Sequence, residues 1–264
     1  MKHFLVFLAL GSLLACASAE KPNIVLILAD DMGVGEMSHT GGIIPTPALD
    51  QMAREGMRFT DAHTTSSVCT PTRYGILTGR YNWRSRLKRG VLVNVNSPAL
   101  LDPERLHMGN FLQQNGYHSA CIGKWHLGAD WEPKDAPSPS GQPKTFASWS
   151  VDYHQPFKNG PTDVGFDQAF FILSSLDMPP YLYLRDDRAV EVPTVDRGFP
   201  HNEYNDYQRI GAATESFDPS TCLADFASES RSYIKSRSIH PSGKPFFLYL
   251  PLNSPHTPIR PGKA

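Results

Sequence analysis

Residues 23–29 (N-I-V-L-I-L-A) form an unbroken apolar run, rich in β-branched side chains, that leads straight into Asp30-Asp31. Apolarity without polar alternation predicts a strand buried on both faces. Thr46-Pro47 reads as the N-cap and first position of a helix, with Leu49, Met52 and Ala53 sharing a face and Gly56 as its stop. Residues 57–62 predict a second strand, 71–77 the opening of a helix, and 104–115 a full helix ended by Gly116. A strand is expected over 117–122 and a helix over 222–237. Lys244-Pro245 then precedes a last apolar strand at 246–250. The segments 131–161 and 181–220 show little periodicity, and they predict surface loops and insertions that shape a cleft.

Strands alternating with helices imply an α/β fold with a largely parallel sheet. Ligand sites in such sheets lie at the carboxyl ends of the strands. Asp30-Asp31, Lys124 with His126, and His256 each follow an expected strand, so the pattern sends these polar groups to one edge. With 264 residues the chain is long enough for one large domain. A formal net charge of -1 gives no global field toward nucleic acid or anionic membrane, so an anionic substrate needs a local cluster of cations.

The first nineteen residues differ in kind. Lys2, a short apolar run over 4–14 and Ala17-Ser18-Ala19 have the order of a secretory signal with its cleavage site, leaving 20–264 as a single domain and a periplasmic or secreted protein. Lipid attachment at Cys16 is the alternative. No later stretch is long and apolar enough for an integral membrane segment. The mature chain keeps Cys69, Cys121 and Cys222. Three is an odd count that argues against a dense disulfide framework and leaves one cysteine free for other work. Cys121 and Cys222 read as structural thiols, with a disulfide between them as the alternative.

Four short segments carry candidate chemistry. Cys69-Thr70-Pro71-Thr72-Arg73 precedes Leu77-Thr78-Gly79. A helix opening near Pro71 would aim free N–H groups and a positive dipole end at an anion, with Arg73 one turn in. Asp30-Asp31 at a strand end, with no soft ligand near in sequence, suits a hard, oxygen-seeking cation such as Ca²⁺. Lys124 and His126 stand two residues apart in Gly123-Lys124-Trp125-His126-Leu127-Gly128, on one side of an extended chain. His256 lies in Ser254-Pro255-His256-Thr257-Pro258.

Together these segments resemble the sulfatase family: its C-x-P-x-R signature followed by L-T-G, its opening strand with metal carboxylates, its G-K-W-H-L-G segment and its P-H-x-P histidine. The resemblance implies an alkaline-phosphatase-like α/β domain that hydrolyses sulfate monoesters, either aryl sulfates or the sulfated sugars of a polysaccharide. It implies that a formylglycine-generating maturation enzyme oxidises Cys69 to formylglycine. The aldehyde hydrates to a geminal diol, whose second hydroxyl can expel sulfate after the first has attacked. By the same resemblance Asp30, Asp31 and residue 69 hold one Ca²⁺ (Mg²⁺ being the alternative), Arg73 neutralises or orients the diol, Lys124 holds sulfate, His126 binds or deprotonates the diol, and His256 binds substrate or protonates the leaving alcohol.

Relatives carry a further Asp-Asn pair and a lysine downstream of the position that matches His256, and the sequence stops at Ala264 before either. Residues 20–264 alone are therefore expected to show little activity. Two rival functions share these residues: phosphonate monoester or phosphodiester hydrolysis by the same nucleophile, and non-catalytic binding of a sulfated glycan through Arg73, Lys124 and His256.

Overall fold

The computed structural model describes residues 20–134, 139, 145–199, 209–240 and 242–259. The expected leader at 1–19, with Cys16, lies outside them. A six-stranded sheet runs in the order β1-β8-β2-β3-β4-β5. Its parallel part is β1 (Ile24–Asp30), β8 (Phe246–Pro255), β2 (His118–Lys124) and β3 (Gln168–Ile172); the short β4 (Leu184–Arg185) and β5 (Arg188–Ala189) extend it antiparallel. β6 (Val195–Arg197) and β7 (Gly211–Ala213) form a separate two-stranded ladder.

Alternate side chains of the central strands feed two cores. Ala120, Ile122, Phe246 and Leu248 pack with Cys222, Phe226 and Tyr233 of α4 (Cys222–Ser238) on one face. Cys121, Phe171, Phe247 and Tyr249 pack on the other face with Tyr74 and Leu77 of α2 (Cys69–Thr78), against which Met108 and Leu112 of α3 (Met108–Gln114) are laid. Each fully buried aromatic or leucine contributes about 1.5–3 kcal/mol relative to exposure. The result is the expected layered α/β arrangement with a largely parallel sheet.

Several expectations give way. β1 is an edge strand paired to β8, and on one of its faces Val25 and Ile27 remain 43% and 49% exposed, so no layer among the described residues covers that face and the strand is not buried on both. α1 (Pro47–Glu55) starts and stops where expected, at Thr46-Pro47 and Gly56, but buries nothing, and Met52 is exposed. Residues 57–62 form no strand, because no neighbouring strand offers a ladder; Met57 and Phe59 face solvent. The helix expected over 104–115 is only the seven residues of α3, preceded by turns at 102–105. The supposed loops are partly core: Trp149, Val151, Tyr153 and Phe157 insert under the sheet, Tyr181 and Leu182 are buried, and β4 to β7 fall within 181–220. Aromatic side chains spaced without period carry burial that a periodicity reading does not register; Trp131 on Phe157, with ring centroids 4.7 Å apart, is one such contact. Cys69, Cys121 and Cys222 are all free thiols, so the alternative Cys121–Cys222 disulfide is not formed.

Candidate active site

Three parallel strands end beside one another, and each delivers a polar group. β1 ends in Asp30, β2 in Lys124, and β8 runs on through Asn253 toward His256. The close approach of β2 and β8 depends on Gly123. Its φ is +137°, and a Cβ there would stand 2.0 Å from the Pro251 carbonyl oxygen. Only glycine combines that backbone with that contact. Asp31 (φ 61°) and His126 (φ 54°) also hold left-handed backbone immediately after their strands. Such conformations, uncommon in non-glycine residues, cluster where a structure must aim side chains.

Facing these strand ends is the start of α2. The helix begins at Cys69 itself, two residues before the expected Pro71, with Val68 as an extended N-cap that makes no side-chain cap bond. Cys69 is therefore the first helical residue, at the positive end of the helix dipole. Gly79, at φ 64°, ends the helix in the left-handed conformation. A cavity of about 190 Å³ opens above Cys69, lined among others by Asp30, Asp31, Arg73 and the hydroxyl side chains Thr64, Ser66 and Thr72.

Asp30 is the electrostatic centre. Lys124 Nζ donates to its Oδ2 at 2.5 Å, and Arg73 Nη2 stands 3.5 Å from the same oxygen. All three side chains are buried, Lys124 at 0% and Arg73 at 1% exposure. Burial alone would raise the Asp30 carboxyl, yet Lys124 and Arg73 outweigh it and hold it below its ordinary value. The Arg73 guanidinium is further fixed by donation to the Lys124 carbonyl at 2.6 Å and the Leu252 carbonyl at 3.2 Å. Two buried cations against one buried carboxylate leave a surplus positive charge beside Cys69.

That surplus shows at the sulfur. Lys124 Nζ donates to Cys69 Sγ at 3.3 Å, and ligand atoms of Asp30, Cys69 and His256 lie within 4.8 Å of one another. Burial pushes the Cys69 thiol up, but the hydrogen bond from His256 and the charge of Lys124 more than reverse this, so the thiol ionises more readily than a free cysteine. His256 shifts the opposite way: burial disfavours its cation, and the bond to Cys69 over-compensates. Its Nε2 also stands 3.5 Å from Asp31 Oδ2, and its Nδ1 meets the Thr257 carbonyl at 2.5 Å. The site thus favours negative charge at residue 69.

The sequence-derived residues Asp30, Cys69, Arg73, Lys124 and His256 converge here, with Asp31 at the rim. His126 is set differently. Its Nε2 bonds the Leu92 carbonyl at 2.8 Å, its Nδ1 has no partner among the described residues, and burial beside Lys124 keeps the ring neutral. The histidine that meets Cys69 in this structure is His256. Two buried groups escaped the motif reading: Tyr249 Oη and Asn253 Oδ1 on β8, both without a hydrogen-bond partner among the described residues. Tyr249 sits in an apolar strand and looks like core; Asn253 had only its nearness to the His256 segment as a signal.

The donors suit a hard divalent ion in part. Asp31 is half exposed, Asp30 engages its cations through Oδ2, and oxygens in place of sulfur at residue 69 would complete an all-oxygen face. These groups supply fewer than the ~6–8 oxygens that Ca²⁺ takes.

Against known proteins, the Sulfatase family model matches residues 22–263. An N-acetylgalactosamine-6-O-sulfatase of Bacteroides thetaiotaomicron is 28% identical over 92% of the chain and 50% of its own length. Human arylsulfatase G is 32% identical over 91% of the chain and 42% of its own length. A solved structure from work on glycosaminoglycan metabolism by B. thetaiotaomicron superposes with a TM-score of 0.73 at 26% identity, over 92% of this chain and 53% of that one. The chain spans about half the length of the curated relatives it matches.

Proposed function

The chain belongs to the sulfatase family, and on that premise we propose that its protein hydrolyses sulfate monoesters through a hydrated formylglycine made from Cys69 by a formylglycine-generating enzyme. The observation that carries the reading is the preference for negative charge at residue 69, created by Lys124 and His256 at the start of α2. A geminal diol there offers one oxygen to attack sulfur and a second that, on losing its proton, expels sulfate as the aldehyde re-forms.

The chain's own residues then have distinct tasks. Lys124, already within 3.3 Å of position 69, pairs with a sulfate oxygen and offsets charge on the attacking oxygen. Arg73, held by two carbonyls and Asp30, contributes fixed positive charge without having to reorganise. His256, whose pKa is raised, carries a proton suited to the departing alcohol. His126, neutral and buried, offers Nδ1 as a hydrogen-bond partner for the diol. Asp30, Asp31 and residue 69 would hold one Ca²⁺, with Mg²⁺ second, and the ion would supply positive charge that lowers the pKa of the oxygen at 69.

The leader read at 1–19 supports export, with 20–264 periplasmic or secreted and lipid attachment at Cys16 as the alternative; among the described residues no helix is long and apolar enough to cross a membrane. The name of the N-acetylgalactosamine-6-O-sulfatase relative supports a sulfated sugar as substrate. The test compares aryl sulfate, sulfated N-acetylgalactosamine and aryl phosphate esters with protein expressed to its natural stop codon and matured in a formylglycine-competent host, before and after chelation. Sulfate turnover lost on chelation and restored by Ca²⁺ is expected. Faster turnover of phosphate than of sulfate esters would contradict the assignment.

A further inference from the structure

From Ala62 to Leu101 the chain contains no acidic residue, yet it carries Arg73, Arg80, Arg84, Arg86, Lys88 and Arg89. In a protein with 25 Lys and Arg against 26 Asp and Glu, this is a marked local excess. Only Arg73 belongs to the site described above. Arg84, Arg86, Lys88 and Arg89 are exposed. Arg86 is tied to the carbonyls of Pro98 and Ala99, and Lys88 donates to the Trp83 carbonyl at 2.7 Å. The side chains of Arg84 and Arg89 have no hydrogen bond or ion pair among the described residues, although the Arg84 backbone N–H donates to the Tyr81 carbonyl at 3.1 Å.

Two aromatics stand in the same loop. Tyr81 and Trp83 stack at 4.1 Å between ring centroids and 10° between planes, and remain 48% and 53% exposed. An exposed aromatic pair, rigid and flat, is costly to leave in water without a partner.

The loop also leads somewhere. It leaves α2 at Gly79, about 15 Å along the helix from Cys69 at 1.5 Å per residue. By Leu92 it is back beside the site, where its N–H donates to Thr70 Oγ1 at 3.3 Å and its carbonyl accepts from His126. Residues 80–92 therefore run along the chain from the far end of α2 back to the neighbourhood of the catalytic residues.

We infer that this path binds the chain of a sulfated oligosaccharide, with Arg84 and Arg89 pairing to sulfates beyond the one cleaved and Tyr81-Trp83 stacking on a sugar ring. Guanidinium groups match the oxygens of a sulfate as bidentate donors. A sequence pI near 6.8 argues against a nucleic-acid surface, for which a broadly basic domain is the rule. The choice of occupant rests on the sulfatase reading; the existence of a polyanion surface does not.

The experiment is a fluorescence-anisotropy titration of the protein with labelled dextran sulfate oligosaccharide, between 50 and 200 mM salt as a practical range, beside an aryl sulfate assay. Arg84→Ala with Arg89→Ala should weaken binding about tenfold and reduce the slope of log affinity against log salt by about two. Aryl sulfate turnover should stay unchanged, because neither residue reaches the site. Arg84→Lys with Arg89→Lys should keep most of the affinity, which separates lost charge from lost fold, and Trp83→Ala should weaken binding without changing the salt slope. Unchanged affinity in the double alanine variant would overturn the inference. So would duplex DNA or phosphatidylserine vesicles binding as tightly as dextran sulfate, or unsulfated dextran competing equally. A protein that binds dextran sulfate through Arg84 and Arg89 but cleaves no sulfate ester would refute the catalytic reading and leave this surface standing.

Discussion

Replacing Asp30 by Asn removes the carboxylate that stands between two buried cations. Lys124 Nζ at 2.5 Å loses its counter-charge, and so does Arg73 Nη2 at 3.5 Å; neither side chain can reach water at 0% and 1% exposure. The Asn amide matches the carboxylate in shape but supplies no charge, and half of it is a donor facing donors. Breaking a buried ion pair from one side costs about 3–5 kcal/mol. Against a total stability of about 5–15 kcal/mol, that is a large fraction. Asp31 is the internal control: its side chain is 53% exposed with His256 at 3.5 Å as its ion-pair partner among the described residues, and Asp31→Asn should cost less than about 1 kcal/mol. Urea unfolding of the wild type and both variants in chelator, so that metal ligation adds nothing, measures the difference. An Asp30→Asn variant within about 1 kcal/mol of Asp31→Asn would refute the argument that Asp30 is an electrostatic keystone. The same pairing has a pH signature. Because the folded carboxyl is held below its ordinary 3.8, its contribution is fully present above that value and is lost as pH falls through the folded pKa below it.

Gly123→Ala should destabilise by about 3 kcal/mol or more, since a Cβ would overlap the Pro251 oxygen at 2.0 Å on a backbone with φ +137°. Gly79→Ala, with φ +64° and nothing within 4 Å, should cost only about 1 kcal/mol; equal midpoints in a denaturant titration would count against the close approach of β2 and β8. His107, 2% exposed, has its pKa lowered by burial, so the unfolded chain takes up a proton near pH 6.5 that the folded chain refuses. Stability should therefore fall as pH drops below 6.5 toward the folded pKa, and His107→Asn should flatten that slope; a slope unchanged in the variant would assign the effect elsewhere.

Residues that act through local chemistry were legible in the sequence, and residues that act through remote contacts were not. Thr46-Pro47 and Gly56 bounded α1 because caps are local, and Cys222 opened α4 where expected. The run at 23–29 announced β1, but its exposure on one face depends on which elements pack over that face, and that is information held elsewhere in the chain. Residues 57–62 have strand-like composition without a partner to pair with. Trp149, Tyr153 and Phe157 enter the core from a segment with no period, so only the packed structure reveals them. In the site, the motifs picked out Asp30, Cys69, Arg73, Lys124 and His256, whose side chains do converge. Motifs carry residue types and spacings but no ring orientation, so they name both His126 and His256 without showing that His256 is the one set against the sulfur while His126 Nε2 bonds the Leu92 carbonyl.

The central claim is that residue 69 works as an aldehyde hydrate, and the tryptic peptide covering residues 59–73 tests it most directly. Mass spectrometry of that peptide from a preparation that turns over aryl sulfate, with and without a carbonyl-reactive hydrazide, distinguishes aldehyde from thiol at position 69. The aldehyde fraction should rise in step with specific activity across preparations, and a Cys69→Ala variant should fold but not turn over. A fully active preparation whose peptide carries only the thiol would contradict the claim.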